Sequence, residues 1–160
     1  MNEGSRLEKA ALNHFLETYN RLSGTHLEFE KHRDRPDFIV KDRMSKQELG
    51  IEVKHLYYDE DEAKTLLNRS TSSTHSLMSS TKLVEKLNDL LKEAIETARK
   101  YEFRNKMFLI IRVASPIFDK QDFELHEEDV QLPPDIFSEI WLIFRDTSKG
   151  TWSDLKRLKN

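Results

Sequence analysis

Hydrophobic residues recur at helical spacing in two stretches of the chain. Leu7, Ala11 and Phe15 repeat every four residues, and this spacing predicts an amphipathic helix over about 5–22. A second stripe, made of leucine, isoleucine and alanine side chains, predicts a longer helix over about 82–101. Each predicted helix has one apolar side, so each needs another element to pack against.

Five further segments have the patterns of β-strands. The segments 25–32, 36–41 and 48–57 are short and rich in alternating or β-branched apolar residues. The segments 106–114 and 139–146 are continuous apolar runs, which are typical of strands buried on both faces. Polar residues separate the second and third strands over a length that suits a hairpin.

The order of these elements predicts an α/β fold: a mixed central β-sheet of about five strands flanked by helices. The order is αβββαβ, followed by a further strand and a short C-terminal helix in "TWSDLKRLKN". We expect a single domain over 1–160, with a flexible Ser/Thr-rich loop at about 69–81.

Composition restricts the classes of function. The 160 residues carry a net charge of −3, so the whole molecule does not attract nucleic acid and any such binding needs a local basic patch. Cysteine is absent, which excludes disulfides and thiolate metal sites and suits a reducing compartment. No apolar run has the length of a membrane span and the N-terminus lacks the core of a signal peptide, so a cytoplasmic protein is expected.

Acidic residues two positions before a lysine occur three times, at Glu52, Glu62 and Asp154. A motif this short arises by chance, so its context has to decide. Only Glu52-Val53-Lys54 lies inside a convincing strand, and only it follows a strand that begins with Pro36-Asp37. Because side chains two apart on a strand point the same way, Glu52 and Lys54 share a face of the predicted sheet.

"RPDFIV" followed by "GIEVKHLY" resembles the PD-(D/E)XK nuclease superfamily, which has the restriction-endonuclease-like fold. The resemblance covers roughly residues 5–114 and implies a nuclease that hydrolyses phosphodiester bonds with metal-activated water. Asp37 and Glu52 would bind Mg²⁺ or Mn²⁺, and Lys54 would assist the water. The resemblance also implies the main-chain carbonyl of Val53 as a metal ligand.

The family often adds an acidic residue from the first helix, and Glu8 is the best match. At helical spacing Glu8 shares a side of the helix with apolar residues, whereas Glu17, the alternative, has polar neighbours. A structural role explains Glu8 equally well, because Ser5 and Glu8 have the spacing of a capping box. Both interpretations of Glu8 stay open at the level of sequence.

Basic residues surround the motif, and Arg35, Arg43, Arg69 and Lys82 are the candidate phosphate contacts. The family's usual substrates make DNA rather than RNA the expected partner, and the short chain suggests a homodimer or a partner subunit. Two other functions compete with a nuclease. One is an inactive nucleic-acid-binding or assembly module on the same fold, and the other is a small α/β protein-interaction domain.

Overall fold

The structure of the protein is a computed structural model. The structure describes residues 3–56, 73–103, 105–113, 120–132, 136–146 and 151–159.

Within these ranges the structure contains ten elements, four of them helical and six of them strands. The helices are α1 (Glu3–Ser23), α2 (Ser73–Ala98), α3 (Lys120–Glu124) and a 3₁₀ turn (Glu127–Asp129). The strands are β1 (Leu27–His32), β2 (Phe38–Asp42), β3 (Glu48–Leu56), β4 (Met107–Val113), β5 (Phe137–Asp146) and β6 (Thr151–Lys159).

The strands form one mixed sheet whose spatial order is the order of the sequence, β1-β2-β3-β4-β5-β6. The pairs β1–β2, β2–β3 and β5–β6 are antiparallel, whereas β3–β4 and β4–β5 are parallel. The α/β class with a mixed sheet flanked by helices is therefore confirmed, with six strands instead of about five.

Each face of the sheet has its own hydrophobic core. Helix α1 packs on one face, and the buried side chains there include Leu12, Phe15, Tyr19, Phe38, Ile51, Val53, Phe108, Ile110, Trp141 and Leu155. Helices α2 and α3 pack on the other, where the buried side chains include Leu83, Leu87, Leu91, Leu109, Ile111, Phe123, Ile140, Leu142 and Phe144. The central strands are buried on both sides, as their continuous apolar runs predict.

The predicted C-terminal helix is wrong. Residues 151–159 form β6, which pairs with β5 along nearly its whole length. Leu155 is buried in the α1-side core while Leu158 packs against the α2-side core. Residues three apart point to opposite faces of a strand but to the same side of a helix. A strand therefore places Leu155 and Leu158 in the two different cores, whereas a helix would direct both side chains to one side.

The predicted loop at 69–81 is also wrong over the part that the structure describes. Residues 73–81 belong to α2, which begins at Ser73 and runs for 26 residues. Residues 69–72 lie outside the described residues. Serine and threonine lower helix propensity only slightly, so the packing of the following apolar stripe can outweigh them.

Helix α1 also begins earlier than its predicted cap. It is described from Glu3, which places Ser5 within the helix and not at its N-cap. In the described segments, no helix combines the length and the apolar character needed to cross a membrane.

Candidate functional site

Strands β2 and β3 separate at the point where the acidic motif begins. Their ladder ends at the pair Phe38–Ile51, so Asp37 and Glu52 face each other at the next position without ladder hydrogen bonds. Side chains replace those bonds. The Asp37 amide donates to Glu52 Oε1 at 3.2 Å, and the Val53 amide donates to Asp37 Oδ2 at 2.8 Å.

The separation of β2 and β3 leaves a gap between the two strands, and the two carboxyl groups in this gap are largely shielded from solvent. Glu52 is 1% exposed and Asp37 is half-buried. Burial, followed by the repulsion of Glu52, raises the pKa of Asp37 to about 8, although the Val53 amide opposes the shift. Asp37 therefore keeps its proton at pH values where ordinary carboxyls are ionised. A divalent cation would relieve the same repulsion.

The main chain of Val53 adds a third oxygen-donor group to the two carboxylates. In an extended strand the N–H and C=O of one residue point to the same edge. Because the Val53 amide donates to Asp37, its carbonyl is also directed into the gap between β2 and β3. The Gly50 amide, three residues earlier, donates to Lys106 on the β4 side, as the alternation along β3 requires.

Lys54 lies on the same face as Glu52. In the register with β4, Glu52 aligns with Leu109 and Lys54 with Ile111, both of which belong to the α2-side core. The Lys54 side chain is half-buried and adjoins a cavity of about 200 Å³ between β3 and α2. Lys54 thus shares the sheet face of Glu52 and borders an open space on that face.

Glu8 of α1 interacts electrostatically with Glu52 and Lys54 of this site. Burial and, more weakly, the charge of Glu52 raise the pKa of the half-buried Glu8, whereas His32 and Lys54 act in the opposite direction. Glu17 is exposed to solvent. The position of Ser5 inside the helix removes the capping-box explanation for Glu8.

The oxygens of the gap fit a hard cation that keeps much of its hydration shell. Within the described ranges, no three His, Cys, Asp or Glu side chains are grouped closely enough to hold a metal ion by themselves. Two carboxylates and a carbonyl nevertheless match Mg²⁺, which is bound in proteins through one or two carboxylates together with water. The donor set is too small and too hard for a typical structural zinc site.

The candidate phosphate contacts do not all lie together. Arg35 is exposed, and its charge acts on Tyr101, which touches the site. Arg43 follows the far end of β2, about 20 Å along the strand from Asp37, and there forms an exposed ion pair with Glu28 at 3.9 Å. Lys82 is half-buried on α2, and Arg69 lies outside the described residues.

Tyr101 is a site residue that the sequence pattern does not reveal. It follows α2, and its hydroxyl donates to Glu52 Oε2. Burial and this hydrogen bond raise the pKa of Tyr101 above its ordinary value. A tyrosine after a helix carries no signal for such a contact, since the contact depends on how α2 lies across β3.

Comparisons with models of protein families, with curated proteins and with solved structures gave no match to this chain.

Proposed function

We propose that the protein is a metal-dependent endonuclease of the PD-(D/E)XK type that hydrolyses phosphodiester bonds, with DNA as its substrate. The observation that carries the proposal is the meeting of Asp37 and Glu52 in the gap between β2 and β3, with Lys54 on the same face. A buried acid and a half-buried acid that repel each other cost folding stability, and such groups cluster at functional sites. The resemblance of the motif to the nuclease superfamily points in the same direction.

Each residue has a role in this proposal. Asp37, Glu52 and the Val53 carbonyl would hold Mg²⁺ or Mn²⁺, and the bound cation supplies an activated water and neutralises charge on the phosphate. Lys54 orients the attacking water and stabilises the charge that develops during attack. Glu8 helps to hold a second cation or its waters.

Substrate binding would use the basic residues near the gap. Arg35 is exposed and close to Tyr101, so among the three candidates that the structure describes it is the best placed to contact a phosphate. We further propose a homodimer or a partner subunit, and a cytoplasmic location, which the absence of cysteine suits.

A cleavage panel tests the function directly. Duplex, single-stranded and branched DNA and RNA are incubated with the protein in Mg²⁺, in Mn²⁺ and in excess chelator. We expect cleavage that requires the metal. Cleavage that persists in chelator contradicts the mechanism, and binding without cleavage on any substrate favours the inactive module.

Substitution of Lys54 separates this activity from a contaminant. Lys54→Ala should lower the cleavage rate by about 100-fold or more, as expected when a group that assists proton transfer is removed. Lys41→Ala is the matched control, because Lys41 is a half-buried lysine on the neighbouring strand β2. Circular dichroism checks that both variants fold. Equal activity of the two variants would remove Lys54 from the mechanism.

A further inference from the structure

Tyr101 is fixed in position by the turn that ends α2. Beyond Ala98 the chain closes into a tight turn, in which the Tyr101 amide donates to the Ala98 carbonyl at 3.0 Å and the Lys100 amide to Thr97 at 3.1 Å. The ring of Tyr101 packs against the α2-side core. The hydroxyl group is therefore held over β3 by main-chain hydrogen bonds and by packing.

The hydroxyl of Tyr101 completes the fixing of the Glu52 carboxylate. Glu52 Oε2 accepts from Tyr101, and Glu52 Oε1 accepts from the Asp37 amide. With both oxygens bound to donors from different elements, the side chain has one orientation. Each carboxylate oxygen can accept more than one bond, so both oxygens keep capacity for a cation.

We propose that Tyr101 is a positioning residue that holds the Glu52 carboxylate in the orientation that binds the divalent cation. The inference rests on the proposed function, since it assumes that Glu52 is a metal ligand. Partners that orient a ligand from outside the coordination shell raise metal affinity, and their loss typically weakens it by about 10–100-fold. A tyrosine that competed with the cation for Oε2 would have the opposite effect, since its removal would tighten binding.

Tyr19 provides a matched control for the removal of a tyrosine hydroxyl. Its hydroxyl donates to Glu139 Oε2 at 3.2 Å in the α1-side core, on the other face of the sheet from Glu52. Tyr19→Phe and Tyr101→Phe therefore each delete one tyrosine–glutamate hydrogen bond. Only the second deletion touches the proposed metal site.

The test is a titration of the full chain with Mn²⁺, followed by calorimetry or by the electron paramagnetic resonance of free Mn²⁺. We expect Tyr101→Phe to raise the Kd for Mn²⁺ by about 10–100-fold and Tyr19→Phe to leave it unchanged. Saturating Mn²⁺ should restore the cleavage rate of Tyr101→Phe, since the chemical step keeps all its groups.

The outcomes distinguish the two proposals. If the wild type binds Mn²⁺ and Tyr101→Phe binds it equally or more tightly, the positioning role is wrong while the nuclease proposal stands. If the wild type binds no Mn²⁺, both proposals are overturned. If Tyr19→Phe weakens binding as much as Tyr101→Phe does, the effect is a general loss of stability, and the positioning role is again wrong.

Discussion

At the residue scale, the site results from hydrogen bonds that change partners where two strands part. Beyond Phe38 and Ile51 the amides of Asp37 and Val53 no longer find ladder carbonyls, and carboxylate oxygens accept from them instead. This arrangement satisfies the amides but forces two acids together. Burial is the main cause of the raised pKa of Asp37, and the repulsion of Glu52 adds to it.

Replacing Asp37 by asparagine should therefore stabilise the metal-free protein. At pH 7 the unfolded aspartate is ionised, whereas burial beside Glu52 disfavours the ionised form of Asp37 in the folded protein, and asparagine removes that cost. We expect a gain in unfolding free energy of about 1–3 kcal/mol, allowing for the partial exposure of Asp37, together with loss of stabilisation by Mn²⁺. Urea unfolding with and without Mn²⁺ measures both effects.

Asp34→Asn is the control for this change, because Asp34 is an exposed acid three residues away. It should leave both quantities close to those of the wild type. Destabilisation by Asp37→Asn with an intact response to Mn²⁺ would show that Asp37 is a structural residue.

The two candidate acids of α1 can be compared in the same way. Glu8 is half-buried near Lys54 and Glu52, whereas Glu17 is exposed. We expect Glu8→Gln to lower metal-dependent cleavage by about 10-fold or more and Glu17→Gln to leave it unchanged, with both variants folded. A larger loss from Glu17→Gln would reverse the assignment.

At the element scale, three segments next to the site approach one another closely at Gly50. A Cβ atom on Gly50 of β3 would lie 2.7 Å from Pro36 Cγ and 2.8 Å from Phe103 Cε1. These neighbours precede Asp37 and follow Tyr101 in the chain. The absence of a side chain at position 50 thus lets β3, the segment before β2 and the segment after α2 meet.

A prediction about β6 distinguishes a strand from a helix at residues 151–159. Leu155 is buried on the α1 side and Leu158 is partly buried on the α2 side. Leu155→Ala should cost about 2–4 kcal/mol of unfolding free energy and Leu158→Ala about 1–2 kcal/mol, with nearly additive effects since the two side chains face opposite cores. Thermal or urea unfolding of the single and double variants measures this, and an exposed terminal helix would give little change for either.

At the scale of the whole molecule, metal binding and pH should act on stability through the same gap. The pKa of Asp37 is raised from 3.8 to about 8 on folding. Its contribution to stability is therefore complete below about pH 4 and is lost as pH rises towards about 8. Because a cation would replace the proton on Asp37, stabilisation by Mn²⁺ should grow over the same interval.

His55 acts on stability in the opposite direction. Burial, helped by Arg112 and Lys54, lowers the pKa of His55, so its contribution is lost as pH falls through the range below its usual value of 6.5. Unfolding free energies of the wild type and of Asp37→Asn, measured from pH 5 to pH 8, separate the two groups. The difference between the proteins should shrink as pH falls, and a difference that does not vary with pH would contradict the linkage.

The sequence by itself determined the elements whose pattern follows local physics. Helices α1 and α2 and strands β1 to β5 could be predicted from the sequence. In each of them the apolar residues recur at the spacing that a buried helix or strand requires. Asp37 and Glu52 were also within reach of the sequence, since a hairpin-length loop sets strands 36–41 and 48–57 side by side. In contrast, "TWSDLKRLKN" has no clear period, and its strand exists because β5 offers an edge for pairing.

Only the tertiary structure decided which distant residues join the gap. Tyr101 meets Glu52 because α2 crosses the sheet and ends above β3, and Arg43 is removed from the site because β2 carries it to the other end of the strand. The burial that raises the pKa of Asp37 comes from the packing of whole elements around it. Local spacing fixes what neighbouring residues can do, whereas contacts and dehydration between distant segments depend on the complete fold.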